Sequence, residues 1–164
     1  MRIPTRKPGK YAGLRRDPHM TQQKFDELQA QLTRLLRARP DAANEVKRLA
    51  EMGDFSENAA YQLAKGRLRG LNQRIMEIED HLKHSAIIYP PTSGIIQLGS
   101  TVTIERDGER QTFHILGPTE TNPAQGIISH KSPLGAVLIG KNAGDTVDVV
   151  VNGKAVAVHI LEVR

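Results

Sequence analysis

Asp54 and Glu57 stand three residues apart in the stretch GDFSENAAY, residues 53–61, with Ser56 and Asn58 beside them. At this spacing the two carboxylates suit the N-cap and N3 positions of a helix, a capping box in which side-chain oxygens accept backbone N–H groups that the first turn leaves open. Ser56 and Asn58 then serve as spare turn formers. A second use follows from their place in the chain. They fall between two long heptad runs whose other side chains are mostly basic or apolar, next to Phe55, an aromatic that a solvated turn does not need. The two uses are compatible, because a capped turn holds its carboxylates rigidly.

The elements that must position this pair are helices. Phe25, Leu28, Leu32 and Leu35 recur at spacings of 3, 4 and 3, and Ala42, Val46 and Leu49 continue the same register, broken only at Arg39. Pro40 lacks a backbone donor and disfavours helix at the residue before it, so a kink or a restart is expected there; the surviving register favours one kinked helix. Gly53 ends the run. Tyr61, Ala64, Leu68, Leu71, Ile75, Ile78 and Leu82 then keep a strict 3, 4 alternation. Two such runs joined by a few residues fold back on each other as an antiparallel coiled-coil hairpin. Each arm of ~30 residues extends ~45 Å at the helical rise, which carries the acidic turn well away from the base. Gly66 and Gly70 each cost ~1 kcal/mol of helix propensity relative to Ala, which implies a close approach of the other arm or looseness midway along the stalk.

After Ser85 the pattern changes to short β-like pieces: AIIY, IIQL, TVTIE, TFHIL, GIIS, TVDVVV and AVAVHILEV, separated by Gly, Pro, Asn and Asp. Asp107-Gly108 and Asn152-Gly153 have the composition of tight hairpin turns. Ser132-Pro133 before LGAVLIG reads as an N-cap and N1 proline opening a short helix. Residues 86–164 therefore form a small, mostly antiparallel α+β domain, and no glycine pattern in it matches a phosphate-binding loop.

Charge follows the same division. Residues 1–85 hold 17 Lys and Arg against 11 Asp and Glu, residues 86–164 hold 6 against 7, and the whole chain carries +5. A basic N-terminal half favours nucleic acid or an acidic protein surface as partner. Residues 1–18, with six basic side chains, three Pro and two Gly, read as a flexible basic tail. The 164 residues leave room for one ordinary domain plus an accessory element, and zero Cys excludes disulfides, zinc fingers and thiol nucleophiles. No apolar run is long enough for a membrane span or an export signal, so a cytoplasmic protein is expected.

GDFSENAAY closely resembles the GD-x-SEN-x-x-Y signature of the Gre transcript cleavage factors of bacterial RNA polymerase. Ser132-Pro133 with Leu138-Ile139-Gly140-Lys141 and Gly144-Asp145 is similar to the SP…L-x-G-K…GD stretch of their C-terminal domain, so the resemblance spans about residues 20–164. It implies an FKBP-like fold for residues 86–164, which would dock on the rim of the polymerase secondary channel through candidates Ser132, Pro133, Leu138 and Gly140. The hairpin at residues 19–85 would enter the channel, its acidic turn at residues 53–58 reaching the polymerase active site and the extruded 3′ end of a backtracked RNA. Carried over by position, Asp54 and Glu57 would help hold a second Mg²⁺, shared with the polymerase and not expected on the isolated chain. Glu57 would position or activate the attacking water, and Ser56 and Asn58 would orient water or the RNA phosphate. Ala60 departs from the acidic residue common at its place, and no family role transfers to residues 1–18.

Lys65, Arg67, Arg69 and Arg74 occupy residues 58–76 without an acidic residue among them. They either pair with phosphates of the extruded RNA or form a solvated surface matched by acidic residues of the partner arm. The stretch YQLAKGRLRGLNQRI looks more like GreB-type than GreA-type members. Two carboxylates are too few to hold two metals, so the chain is expected to be a non-enzymatic, monomeric cofactor that stimulates cleavage by the polymerase. The alternatives are a relative that occupies the channel and inhibits transcription, disfavoured by the retained Asp54 and Glu57, and a prolyl isomerase or chaperone, disfavoured because residues 86–164 offer only Tyr89 and Phe113 as aromatics. His81 and His84 share a helix face without a third metal ligand nearby and read as surface residues.

Overall fold

The computed structural model describes residues 17–52, 59–91, 93–151 and 153–164. A two-residue strand, β1 (His19–Met20), leads into α1 (Gln22–Glu51), 30 residues long. Thr21 caps α1, its Oγ1 accepting the Lys24 N–H at 3.2 Å. The helix runs through Pro40 as one element. Pro40 has no N–H to offer the Leu36 carbonyl, and that missing donor falls where residues 36–41 are all exposed.

α2 (Ala59–Lys83) returns along α1. Leu28 and Leu49 of α1 and Ala64, Ile75 and Ile78 of α2 are buried, all of them seam positions, while Arg39 stays exposed where the stripe breaks. Leu28, Ile78 and Met20 form a cluster joined by Phe25, Leu32, Leu35, Leu82 and Ile87. The first turns of α1 thus meet the last turns of α2, and the pair is antiparallel. Gly66 and Gly70 do not mark a close approach of the arms: a Cβ at either would meet nothing within 4 Å.

The hairpin's two roots are tied together, because β2 (Ala86–Ile87) pairs with β1 in parallel, His19 opposite Ala86 and Met20 opposite Ile87. Sequence assigns Asp17 and Pro18 to the tail, yet both are fastened: the Pro18 carbonyl accepts the Ala86 N–H at 2.8 Å, and Asp17 is buried. Residues 1–16 lie outside the described residues.

The C-terminal part contains β3 (Thr101–Arg106), β4 (Glu109–Leu116), β5 (Ile127–Ser129), α3 (Pro133–Leu138), β6 (Thr146–Val151) and β7 (Lys154–Val163). The five longer strands make one sheet in the order β5-β4-β3-β7-β6, antiparallel except where β5 runs parallel to β4. Asp107 and Gly108 take φ of 55° and 80°, the left-handed pair that a tight hairpin turn demands. Of the second expected turn, Gly153 is left-handed and Asn152 lies outside the described residues. AIIY yields only the two residues of β2, and IIQL only a bridge from Ile95 to Asn142. Ile96, Val102, Ile104, Ile115, Leu138 and Ile160 make the centre of the core, each at most 1% exposed. The α+β class, with hairpin first and sheet second, is the one the sequence implies.

Candidate functional site on the helical stalk

The exposed side of α2 is built from side chains three and four residues apart. Lys65 and Arg69 are one helical turn from each other, with Gly66 and Gly70 following them in sequence. Because Gly66 has no side chain and nothing packs over it, the surface dips there. Gln62, Lys65, Gly66, Arg69, Asn72 and Gln73 line an open trough of about 1050 Å³ along this face, and Met76, Glu77 and Asp80 continue it toward the root. The trough is basic near the start of α2 and acidic near its end.

The four basic candidates separate in the structure. Lys65 and Arg69 share the trough, and Lys65 Nζ lies 5.8 Å from the Tyr61 ring centroid, a cation–π contact with its own helix. Arg67 is exposed but does not line the trough. Arg74 is matched, its Nη1 lying 3.4 Å from Glu77 Oε2 one turn along the same helix, so the acid answering it comes from α2 itself and not from the partner arm. Among the described residues, no carboxylate pairs with Lys65, Arg67 or Arg69. Gln62, Asn72 and Gln73 were not singled out from sequence; uncharged amides on a helix surface carry no pattern that marks them.

Asp54, Ser56, Glu57 and Asn58 lie outside the described residues, which stop at Met52 and resume at Ala59. Ala60 is exposed on the first turn of α2.

Of the docking candidates, Ser132 caps α3, accepting the Gly135 N–H at 3.0 Å and donating to the Ser129 carbonyl at 2.7 Å. Pro133 is exposed at the first helical position. Gly140 is exposed with φ 81°, its N–H bonded to the Ile96 carbonyl at 2.9 Å. Leu138 corrects the sequence reading. It is fully buried among Ile96, Ile115 and the other core residues, so it anchors α3 to the sheet and offers no surface.

Beside α3 an aliphatic cleft of about 410 Å³ is lined by Ile104, Ile128, Pro133, Leu134 and Val149 among others, without an aromatic side chain. Tyr89 is largely exposed outside it and Phe113 packs against the core, so the aromatic set that an isomerase pocket needs is missing there. His84 pairs with Asp80 through its Nδ1 at 3.2 Å, whereas His81 is half-buried and not the surface residue expected. Among the described residues no group of three His, Asp or Glu could hold a metal ion, and no helix is long and apolar enough to cross a membrane.

A helical hairpin with exposed lysine and arginine on α2, joined to a small sheet domain, is the architecture that the described residues define. The N-terminal model of the transcription elongation factors matches residues 19–87, and the GreA/GreB C-terminal model of the same factors matches residues 91–164. The transcription elongation factor GreA of Thermomicrobium roseum is 41% identical over 129 residues, covering 77% of this chain and 83% of that protein. GreA of Macrococcus caseolyticus is 37% identical over 149 residues, 88% of this chain and 94% of its own. Both carry the GreA name, whereas the basic stretch from Tyr61 looked GreB-like. Among solved structures, the GreA factor homolog 1 (Gfh1) protein of Thermus thermophilus aligns with a TM-score of 0.43 at 25% identity, over 91% of this chain and 99% of that one. This chain belongs to the GreA/GreB family of transcription elongation factors.

Proposed function

We propose that the chain is a non-enzymatic partner of RNA polymerase that enters the secondary channel with its helical hairpin and stimulates cleavage of the 3′ end of backtracked RNA. The observation that carries this reading is the face of α2 on which Lys65 and Arg69 stand exposed with no carboxylate partner among the described residues, 8 to 15 residues after the carboxylates of the connection in sequence. Cations so placed attract phosphates. Asp54 and Glu57, in a chain of this family, supply what a basic surface cannot.

The donor set suits Mg²⁺, which prefers carboxylate oxygens and retained waters, and two carboxylates leave its remaining positions to water and the polymerase. When bound, such an ion stabilises the attacking and leaving oxygens of an in-line displacement. Asp54, with Glu57 beside it, would hold it. Glu57 orients or deprotonates the attacking water, Ser56 and Asn58 hold water or the phosphate, and Lys65 and Arg69 keep the extruded strand in place. Pro133, Ser132 and Gly140 remain the candidates for contact with the polymerase, while Leu138 supports them from beneath. Release of 3′ fragments from a backtracked complex, with and without the two carboxylates, tests the reading.

A further inference from the structure

Each part of the molecule sends a carboxylate into the other. Asp17 precedes β1 and is only 9% exposed. Its Oδ1 accepts the His19 N–H at 3.0 Å and faces His19 Nδ1 at 2.8 Å. Its Oδ2 lies 2.6 Å from Lys131 Nζ and 3.3 Å from His130 Nε2, in the turn between β5 and α3. In the opposite direction, Glu120 accepts the Thr21 N–H through Oε2 at 2.8 Å and the Thr21 hydroxyl through Oε1. Thr21 is the residue that caps α1. Between these clamps the two parts touch: a Cβ on Gly117 would fall 2.2 Å from the His19 carbonyl oxygen, and the His19 and His130 rings meet edge to face with centroids 6.1 Å apart.

These groups stand at the root of the stalk, where what they control is its angle. Charge-assisted hydrogen bonds are shorter and about twice as strong as neutral ones, and three points of attachment resist rotation about any one of them. The lever is long. At the helical rise α1 extends about 45 Å, so a turn of about 10° at the root moves its far end by about 8 Å. Misplacement of reacting groups by as little as ~1 Å costs on the order of 100-fold in rate.

We propose that Asp17 and Glu120 are positioning residues that fix the direction of the hairpin on the C-terminal part, so that docking of one part aims the other. This rests on the channel-insertion reading for its consequence, but the clamp itself is measurable on the free protein. The chain has no Cys, so Leu63→Cys and Glu109→Cys, both at exposed positions, create a single pair for spin labels. In the otherwise wild-type protein the pair should give one narrow distance distribution. Asp17→Ala with Glu120→Ala should shift or broaden it by more than about 5 Å, as the lever requires. Thr21→Ser keeps the N–H and the hydroxyl and should leave it narrow. If the double variant does not fold, Lys131→Ala with His130→Ala removes the partners of Asp17 in the turn between β5 and α3 instead, with the same expectation. An unchanged distribution in the folded variant overturns the clamp.

With polymerase, the double variant should lose at least ~10-fold in saturating cleavage rate while its apparent affinity changes by less than ~3-fold. Loss of affinity with an unchanged saturating rate contradicts a positioning role. If the wild-type chain stimulates no cleavage, the functional reading fails, and the distance measurement still decides the clamp.

Discussion

Lys65 and Arg69 project from one face of α2, one turn apart, beside the dip left by Gly66. If this pair holds phosphates, each charge removed should lower affinity for the RNA-bearing complex and reduce the salt dependence of binding by about one unit of slope. Lys65→Ala and Arg69→Ala are therefore expected to cost more than Arg74→Ala, because Arg74 already has Glu77 as a partner. Titration of cleavage rate against factor at several salt concentrations reads the difference. Equal effects at all three positions would return the basic residues to a solvated helix surface.

The glycines of this chain divide by what a side chain would meet. Gly66→Ala and Gly70→Ala add helix propensity at positions with open space, and each should stabilise the hairpin by up to about 1 kcal/mol. Gly117→Ala and Gly135→Ala place a methyl about 2 Å from the carbonyl oxygens of His19 and Ser129, and each should destabilise by about 1–3 kcal/mol or more. Denaturant unfolding with hydrogen exchange across α2 checks both signs.

Much of this arrangement could be read beforehand, because local patterns encode it. The seam from Tyr61 to Leu82 alternates without exception, and Ser132-Pro133 announces α3 by the chemistry of a helix start. The heptad register across Pro40 outlasted the missing donor, since packing of one face outweighs a single hydrogen bond. The junction was not legible. Thr21 and Glu120 are 99 residues apart, and nothing in the chain near Asp17, placed in a basic tail by composition, points to Lys131. Gly66 misled in the other direction, because a glycine in a helix marks a missing side chain without saying whether a neighbour or empty space takes its place. Leu138 shows the same limit of a motif: family signatures mix residues that touch partners with residues that hold the ones that do.

Leu138→Ala should cost about 2–5 kcal/mol, as expected for a truncated core side chain. Ser132→Ala should cost about 1 kcal/mol through the lost cap. Pro133→Ala, at an exposed position, should change stability little and bear instead on polymerase binding. A polymerase pull-down beside thermal unfolding separates the three; an undiminished pull-down with Pro133→Ala removes it from the docking surface.

Burial alone would raise the pKa of Asp17, but the Lys131 ammonium, the His19 N–H, the His19 ring and the charge of His130 outweigh it and hold the carboxyl far below the usual range. A group depressed in this way contributes stability that is complete above its unfolded value near ~3.9 and is lost as pH falls further, toward its folded value. The stability difference between the wild-type protein and Asp17→Asn should therefore shrink as pH falls below about 4. Denaturant midpoints across that range provide the check. A gap that fails to shrink below about pH 4 contradicts the ion pair.

The most direct measurement of the central claim is transcript cleavage by artificially backtracked polymerase, comparing the wild-type chain with Asp54→Asn and Glu57→Gln. Wild type should release 3′ fragments, and each substitution should reduce the rate by at least about 100-fold, on the scale of a lost acid–base or metal-binding group, while occupancy of the polymerase is retained. Equal cleavage by all three proteins, or slowed elongation by wild type with no fragment released, contradicts the assignment of the two carboxylates.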